Sequence, residues 1–270
     1  MPSAFVLWIY SLPNWVVGTA VIATMVLISS LLVVLAHRYV PTKIRENAEL
    51  LAMFSQSSGV LYSVLLAMIT VNAWQNFSDM DNTIADEAYT VADAYRDAGG
   101  YPQPLRSEIR TTLRHYTNNV ISKEWMQLAQ GVEPQEARID VDQLFDLVSH
   151  FEPKTQGQLV IHQEFFRALN QIAHLRRERI SGVDQSVLPI LWVVVWIGAF
   201  INLGITAFSG SGRPLVDHLL NGSFAVNIGL VTFLILALDH PFLGEIRVDH
   251  TPFVEVLSLM DHVDQLKPLP

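Results

Sequence analysis

Asn14 to Ala36 reads NWVVGTAVIATMVLISSLLVVLA, without one charged side chain, and is followed by His37, Arg38 and Tyr39. Crossing a hydrocarbon core about 30 Å thick takes roughly 20 apolar residues of helix, because every backbone polar group must be satisfied within the segment. The stretch is long enough. Its front lacks the basic residues of a cleaved signal peptide, and no small-residue cleavage site follows. It reads as a membrane-spanning helix.

Three further stretches read the same way. Val187 to Phe208 is uncharged, with Trp192 and Trp196 near its start, and 218–238 is closed by Asp239, His240 and Pro241. Leu50 to Trp74 begins with Ser55, Gln56, Ser57 and Ser58 and then turns strongly apolar from Val60 to Val71. An amphipathic helix lying on the membrane surface would carry lysines or arginines along one face, and this one has none. Four spans follow: 14–36, 50–74, 187–208 and 218–238, the first two forming one hairpin and the last two another.

Composition agrees. Of 270 residues, 50% are hydrophobic and 16% charged, against about 25% charged in a soluble domain, and the mean hydropathy is +0.30. The net charge of −9 excludes a nucleic-acid-binding surface as the main business of the chain. Segment balances are +1 for 1–74, −6 for 75–186 and −4 for 187–270, so the charge gathers in the middle. With no cysteine, the chain has no disulfide framework, thiolate metal site or thiol nucleophile.

Residues 75–186 read as helix nearly throughout. ADEAYTVADAYRDA (85–98) runs into Gly99-Gly100, a natural stop. Leu105 to Gln130 sets Leu105, Ile109, Leu113, Tyr116, Val120 and Met126 at helical steps. Gly131 ends that helix and Pro134 opens another, with Ile139, Leu144, Leu147 and Val148 facing inward. A long helix from Thr155 to Ile180 shows Leu159, Phe166, Leu169, Ile172 and Leu175 as its inner face. The second span is expected to run into the first of these helices, and the last of them into the third span. The expected fold is all-α: four transmembrane helices in two hairpins, with a helical extramembrane domain between the second and third. The expected units are 1–74, 75–186, 187–240 and a tail, 241–270.

No chemistry-bearing motif rises above chance. The nine histidines form no i, i+3 or i+4 pair with a carboxylate in reach, and there is no G-x-S-x-G. Gly210-Ser211-Gly212-Arg213 is neither a P-loop nor a dinucleotide turn. No enzyme activity, cofactor or metal is expected. The span interiors hold no Asp, Glu, Lys or Arg, which speaks against pumps and charge-relay carriers. Their polar groups are Gln56, Ser63, Thr70, Asn202, Asn221 and Asn227.

The second span carries one ordered pattern. Ala52, Gln56, Gly59, Ser63, Ala67 and Thr70 recur at steps of three and four and share a helix face. Bulky Leu61, Val64, Leu65, Met68 and Ile69 occupy the others. Small residues on one face serve close helix packing. The same face, repeated around a symmetric oligomer, would line a pore with hydroxyls and amides. The pattern alone leaves both readings open.

GVLYSVLLA (59–67), DEAYTVADAYRDA, Glu124-Trp125, LRRERI (175–180), the proline-and-tryptophan start of the third span and ALDHPFLGEIRV (237–248) together cover nearly the whole chain. In these stretches the sequence resembles a bacterial family of bestrophin-like integral membrane proteins. LDHPFLGEIRV, holding Asp239, Pro241, Phe242 and Glu245, is the most specific part. The resemblance implies a homo-oligomeric anion channel of a bacterial inner membrane, with Gln56, Gly59, Ser63, Ala67 and Thr70 lining a central pore and inorganic anions as its cargo. The acidic calcium-binding cluster of true bestrophins is not seen. A different class of function, a membrane-anchored sensor or scaffold whose middle domain binds a ligand or protein, is the second expectation.

Sidedness divides the two lines of reasoning. Arg38, Lys43 and Arg45 in the first short loop and Arg213 in the second, against an uncharged leader, place both short loops in the cytoplasm and the middle domain in the periplasm. The resemblance implies a cytoplasmic domain instead. From the LDHPFLGEIRV ending, the fourth span is expected to stop before Pro241, Phe242 to pack back on the domain, and Glu245 or Arg247 to pair locally.

Overall fold

Asn14–Tyr39 (α2) follows a short leader helix, Ala4–Tyr10 (α1), and the rest of the chain continues as helix after helix. The computed structural model describes residues 3–39, 48–132, 134, 136–183, 186–210 and 213–266. Lys43, Arg45, Asn47, Ser211 and Gly212 lie outside the described residues, so the loop charges used for sidedness are seen only at Arg38 and Arg213. Among the described residues there is no strand.

The second span does not end at the membrane. Ala48–Asp97 (α3) is one unbroken helix that carries the span into the middle domain, closed by a 3-10 turn at Ala98–Gly100. Leu105–Asn119 (α4), one π-helical turn at Val120–Glu124 and Trp125–Ala129 (α5) follow in line. Gly131, at φ +70°, then reverses the chain. Glu136–Ser149 (α6) and Gln156–Ser181 (α7) complete the domain. The third span is Pro189–Phe208 (α8), the fourth Pro214–Leu238 (α9), and Thr251–Leu266 (α10) closes the chain. All four long apolar helices are suited by length and composition to cross a membrane.

Two expectations are corrected. The last domain helix does not run into the third span: α7 stops at Ser181 and α8 starts at Pro189. A side chain at Gly182 would collide with the Met80 methyl at 2.1 Å, so the chain turns tightly there against α3. The fourth helix also starts before 218 and takes in Asp217, which is buried.

Within the membrane bundle the first and fourth spans make the longest helix contact. They run antiparallel: Gly18 lies against Phe233, and a methyl group at Gly229 would sit 3.0 Å from the Ile22 Cα. Small residues allow that close approach. The second span leans on the third, where Tyr62 packs over Gly198 and its hydroxyl donates to the Val195 carbonyl at 2.8 Å. A second apolar core fills the domain, and Phe242, Val248, Phe253, Val256 and Met260 of the tail belong to it.

Candidate pore face and domain junction

On α3, Tyr62, Leu66, Ile69 and Ala73 are buried against the chain's own bundle. Gln56, Ser63 and Ala67 are exposed, Gly59 and Thr70 half-buried. The small-and-polar face therefore turns away from the subunit's own packing. Nothing lies within 4 Å of where a Gly59 side chain would begin. Ser63 and Thr70 turn their hydroxyl protons to the Val60 and Leu66 carbonyls at 2.8 Å each, which leaves the oxygens on the surface of the helix. Leu61, Val64 and Met68 are exposed too, so the own bundle covers only a narrow strip of this span. Asn202 and Asn221 are spent inside: Asn202 donates to the Gly198 carbonyl, and Asn221 accepts from Thr206 at 2.5 Å.

At the membrane end of the domain, the fourth span stops at Leu238 and Asp239 begins a knot of contacts. Asp239 Oδ1 accepts the Val187 N–H at 2.5 Å, just ahead of the third span, and the Trp192 indole donates to the same carboxylate. Burial pushes the Asp239 carboxyl up, and these donors and His240 pull against it. The Tyr10 hydroxyl donates to the Leu236 carbonyl at 2.5 Å, tying the leader helix to the fourth span. Pro241 accepts from the Val248 N–H at 2.9 Å, so the segment between them closes on itself. Phe242 is buried against Trp125, ring centres 5.8 Å apart. Glu245 does not pair locally. It accepts the Asn14 N–H at 3.0 Å, placing negative charge at the start of the first span where unpaired N–H groups favour it.

A buried ionic cluster stands where the extension of the second span meets the domain. Arg179 Nε and Nη2 donate to Glu87 at 2.7 and 3.1 Å, and Nη2 reaches Glu124 at 2.8 Å. Arg176 Nη2 donates to Glu124 at 2.5 Å, and the Tyr116 hydroxyl to Glu87 at 2.5 Å. Burial works against the charge on Arg179, and the two glutamates more than offset it; burial, then Glu87, pushes the Tyr116 hydroxyl well up. Glu124 closes the π turn and is fully buried. Sequence reasoning did not find this cluster. Its signal was there: Arg176 and Arg179 fall on the same helix face as Leu169, Ile172 and Leu175, where an arginine requires a partner. Among the described residues, no three His, Asp or Glu side chains converge as a metal site.

A family model described as the bestrophin-like domain matches residues 23–253. The chain belongs to the bestrophin-like family. Its fold is similar to that of a bacterial bestrophin homologue from Klebsiella pneumoniae solved with a single substitution, at a TM-score of 0.62 and 13% identity. A second substituted form from the same organism matches at a TM-score of 0.60 and 13% identity. A further solved membrane protein matches at 0.61 and 12% identity. Each match covers 92% of this chain and 99% of the other. No curated protein matches. At these identities the likeness establishes the bestrophin fold.

Proposed function

We propose that this protein is an oligomeric anion channel whose second span lines a central pore. The observation that carries the reading is the direction of the Gln56, Gly59, Ser63, Ala67 and Thr70 face, away from the bundle that buries Tyr62, Leu66 and Ile69. Family membership supports it, since the resemblance implies an anion channel. A ring of such helices would present hydroxyls and amides that partly replace a hydration shell without holding an ion. Neighbouring copies would cover Leu61, Val64 and Met68. The loop charges support short loops in the cytoplasm of a bacterial inner membrane and the domain in the periplasm. Purified protein in liposomes should release trapped halide; tight vesicles containing assembled protein would overturn the proposal.

The sensor reading has one observation in its favour. An open groove of about 450 Å³ on the domain, lined by Thr90, Asp93, Asp97, Glu164 and Arg167, is where a ligand would sit. A labelled ligand displaced by Arg167→Glu, with no halide release from the same preparation, would favour it.

A further inference from the structure

The leader helix α1 reads AFVLWIY and buries none of its residues fully against the chain. Seven residues of helix are too few to hold together in water without a partner. One side is held by the chain itself. Val6, Leu7, Ile9 and Tyr10 are half-buried, and the Tyr10 hydroxyl donates to the Leu236 carbonyl. The other side faces outward: Phe5 and Trp8 are 67% and 59% exposed and stack on each other, ring centres 6.2 Å apart. The first span begins at Asn14, and Trp15, 74% exposed, stands in its first turn. Trp74 closes the apolar part of the second span and is exposed, and Trp192 stands in the first turn of the third. Four of the six tryptophans thus mark one end of the bundle, the end where the domain begins. Tryptophan settles at the headgroup level of a bilayer, with an apolar ring body and a polar N–H. Residues 1–36 hold no charged side chain that would keep the helix in water.

We propose that α1 is an interfacial anchor whose Phe5–Trp8 face is covered by the headgroup and upper acyl region of the domain-side leaflet, a fifth membrane contact beside the four spans. The occupant is lipid rather than a second copy of the chain. The face leads within a few residues into the Trp15 turn of a spanning helix, at the end of the bundle that Trp74 and Trp192 also mark. The helix is fixed to what lies behind it. Tyr10 bonds the chain two residues before the fourth span ends, and a side chain at Gly244, where φ is +80°, would begin 3.0 Å from the Tyr10 ring. Next to it, Glu245 accepts the Asn14 N–H. The leaflet that holds Phe5 and Trp8 therefore also sets the height of the fourth span's end and of the segment leading from it to the buried Phe242. The anchor makes no use of the pore face, so it stands or falls apart from the channel reading.

The test uses the full chain in phosphatidylcholine–phosphatidylglycerol vesicles, with a nitroxide spin label on single cysteines added to this cysteine-free sequence. Phe5→Cys and Trp8→Cys report on the leader. Ser149→Cys, exposed on the domain, is the reference for water, and Leu27→Cys, exposed midway along the first span, the reference for hydrocarbon. Both leader positions are exposed, so the exchange removes no core packing. Collisions with dissolved oxygen should exceed those with a water-soluble nickel chelate several-fold at Phe5 and Trp8. Their ratio should place both labels between the two references, about 5–10 Å below the phosphates. Adding Tyr10→Phe, which deletes the bond to Leu236, should loosen the labels in the spectrum and leave their depth unchanged. A collision ratio equal to that of Ser149→Cys would put the face in water and overturn the proposal. So would labels shielded from both reagents and broadened by a second label nearby, the mark of a neighbouring copy. Labels that move into water in the Tyr10→Phe variants would show that the bond, not the lipid, holds the helix, and would overturn it as well.

Discussion

Arg179 holds Glu87 through two edges of one guanidinium, Nε at 2.7 Å and Nη2 at 3.1 Å, with both side chains fully buried. This joins α7 to the extension of the second span, and Glu124 joins the π turn to the same arginine. Removing one member leaves uncompensated charge in an apolar core. Arg179→Met is expected to cost about 3–5 kcal/mol, read as a lower urea midpoint for the reconstituted protein. The combined change Arg176→Met, Arg179→Met, Glu87→Leu, Glu124→Leu, with Tyr116→Phe to remove the hydroxyl that donates to Glu87, should recover most of that loss, because both charges and both counter-charges leave together. A single Met variant as stable as the parent would show that the cluster is solvated.

How far such a cluster can be read from sequence depends on where the helical period holds. It holds over Ile109, Leu113, Tyr116 and Val120, all buried as expected. It fails at Met126, 60% exposed, because the π turn at Val120–Glu124 inserts a residue and rotates the face so that Trp125 and Leu128 go inside. Ile139, 68% exposed, fails for another reason. Asp140 takes the inward position, fixed by His115 at 2.7 Å and Asn119 at 2.7 Å, and periodicity counts a polar residue as surface. The spans were legible because length and absence of charge decide them. Asp217 was not, since it lies four residues inside a helix whose start is set by Pro214. Neither was the Glu245 cap, which closes a contact across 231 residues.

Asp239 ties pH to the domain junction. Burial raises its carboxyl, so the folded chain binds a proton more tightly than the unfolded one. The stability from this group is complete below the ordinary carboxylate range and falls as pH climbs through the raised folded value. Asp239→Asn keeps an acceptor for the Val187 N–H and does not titrate. The melting temperature of the parent minus that of Asp239→Asn should therefore shrink as pH rises from about 4 to 7. A difference that grows over that interval would mean the donors outweigh burial.

Sidedness is open to direct labelling because the chain has no cysteine. Ser149 is exposed at the end of α6. With the domain in the periplasm, Ser149→Cys should react with an impermeant thiol reagent in intact spheroplasts. Reaction only after membrane rupture, in a folded variant, would place the domain in the cytoplasm and the loop arginines outside.

The pore proposal is most exposed at Ser63. Gln56, Ser63 and Thr70 stand seven residues apart, so the same level recurs at each second turn of the helix. Ser63 is exposed and touches no other helix of its own subunit through its hydroxyl, which bonds Val60 within the same turn. Ser63→Leu should leave insertion intact, since leucine is favourable in the bilayer. In a pore it would narrow and dewet one ring, dropping halide flux by tenfold or more, on the order of 1.4 kcal/mol of added barrier, with the oligomer unchanged in size. If this face instead packs against a neighbouring copy, leucine would wedge the helices apart and the oligomer would shrink on size-exclusion chromatography. Full flux from an intact Ser63→Leu oligomer would remove Ser63 from the pore.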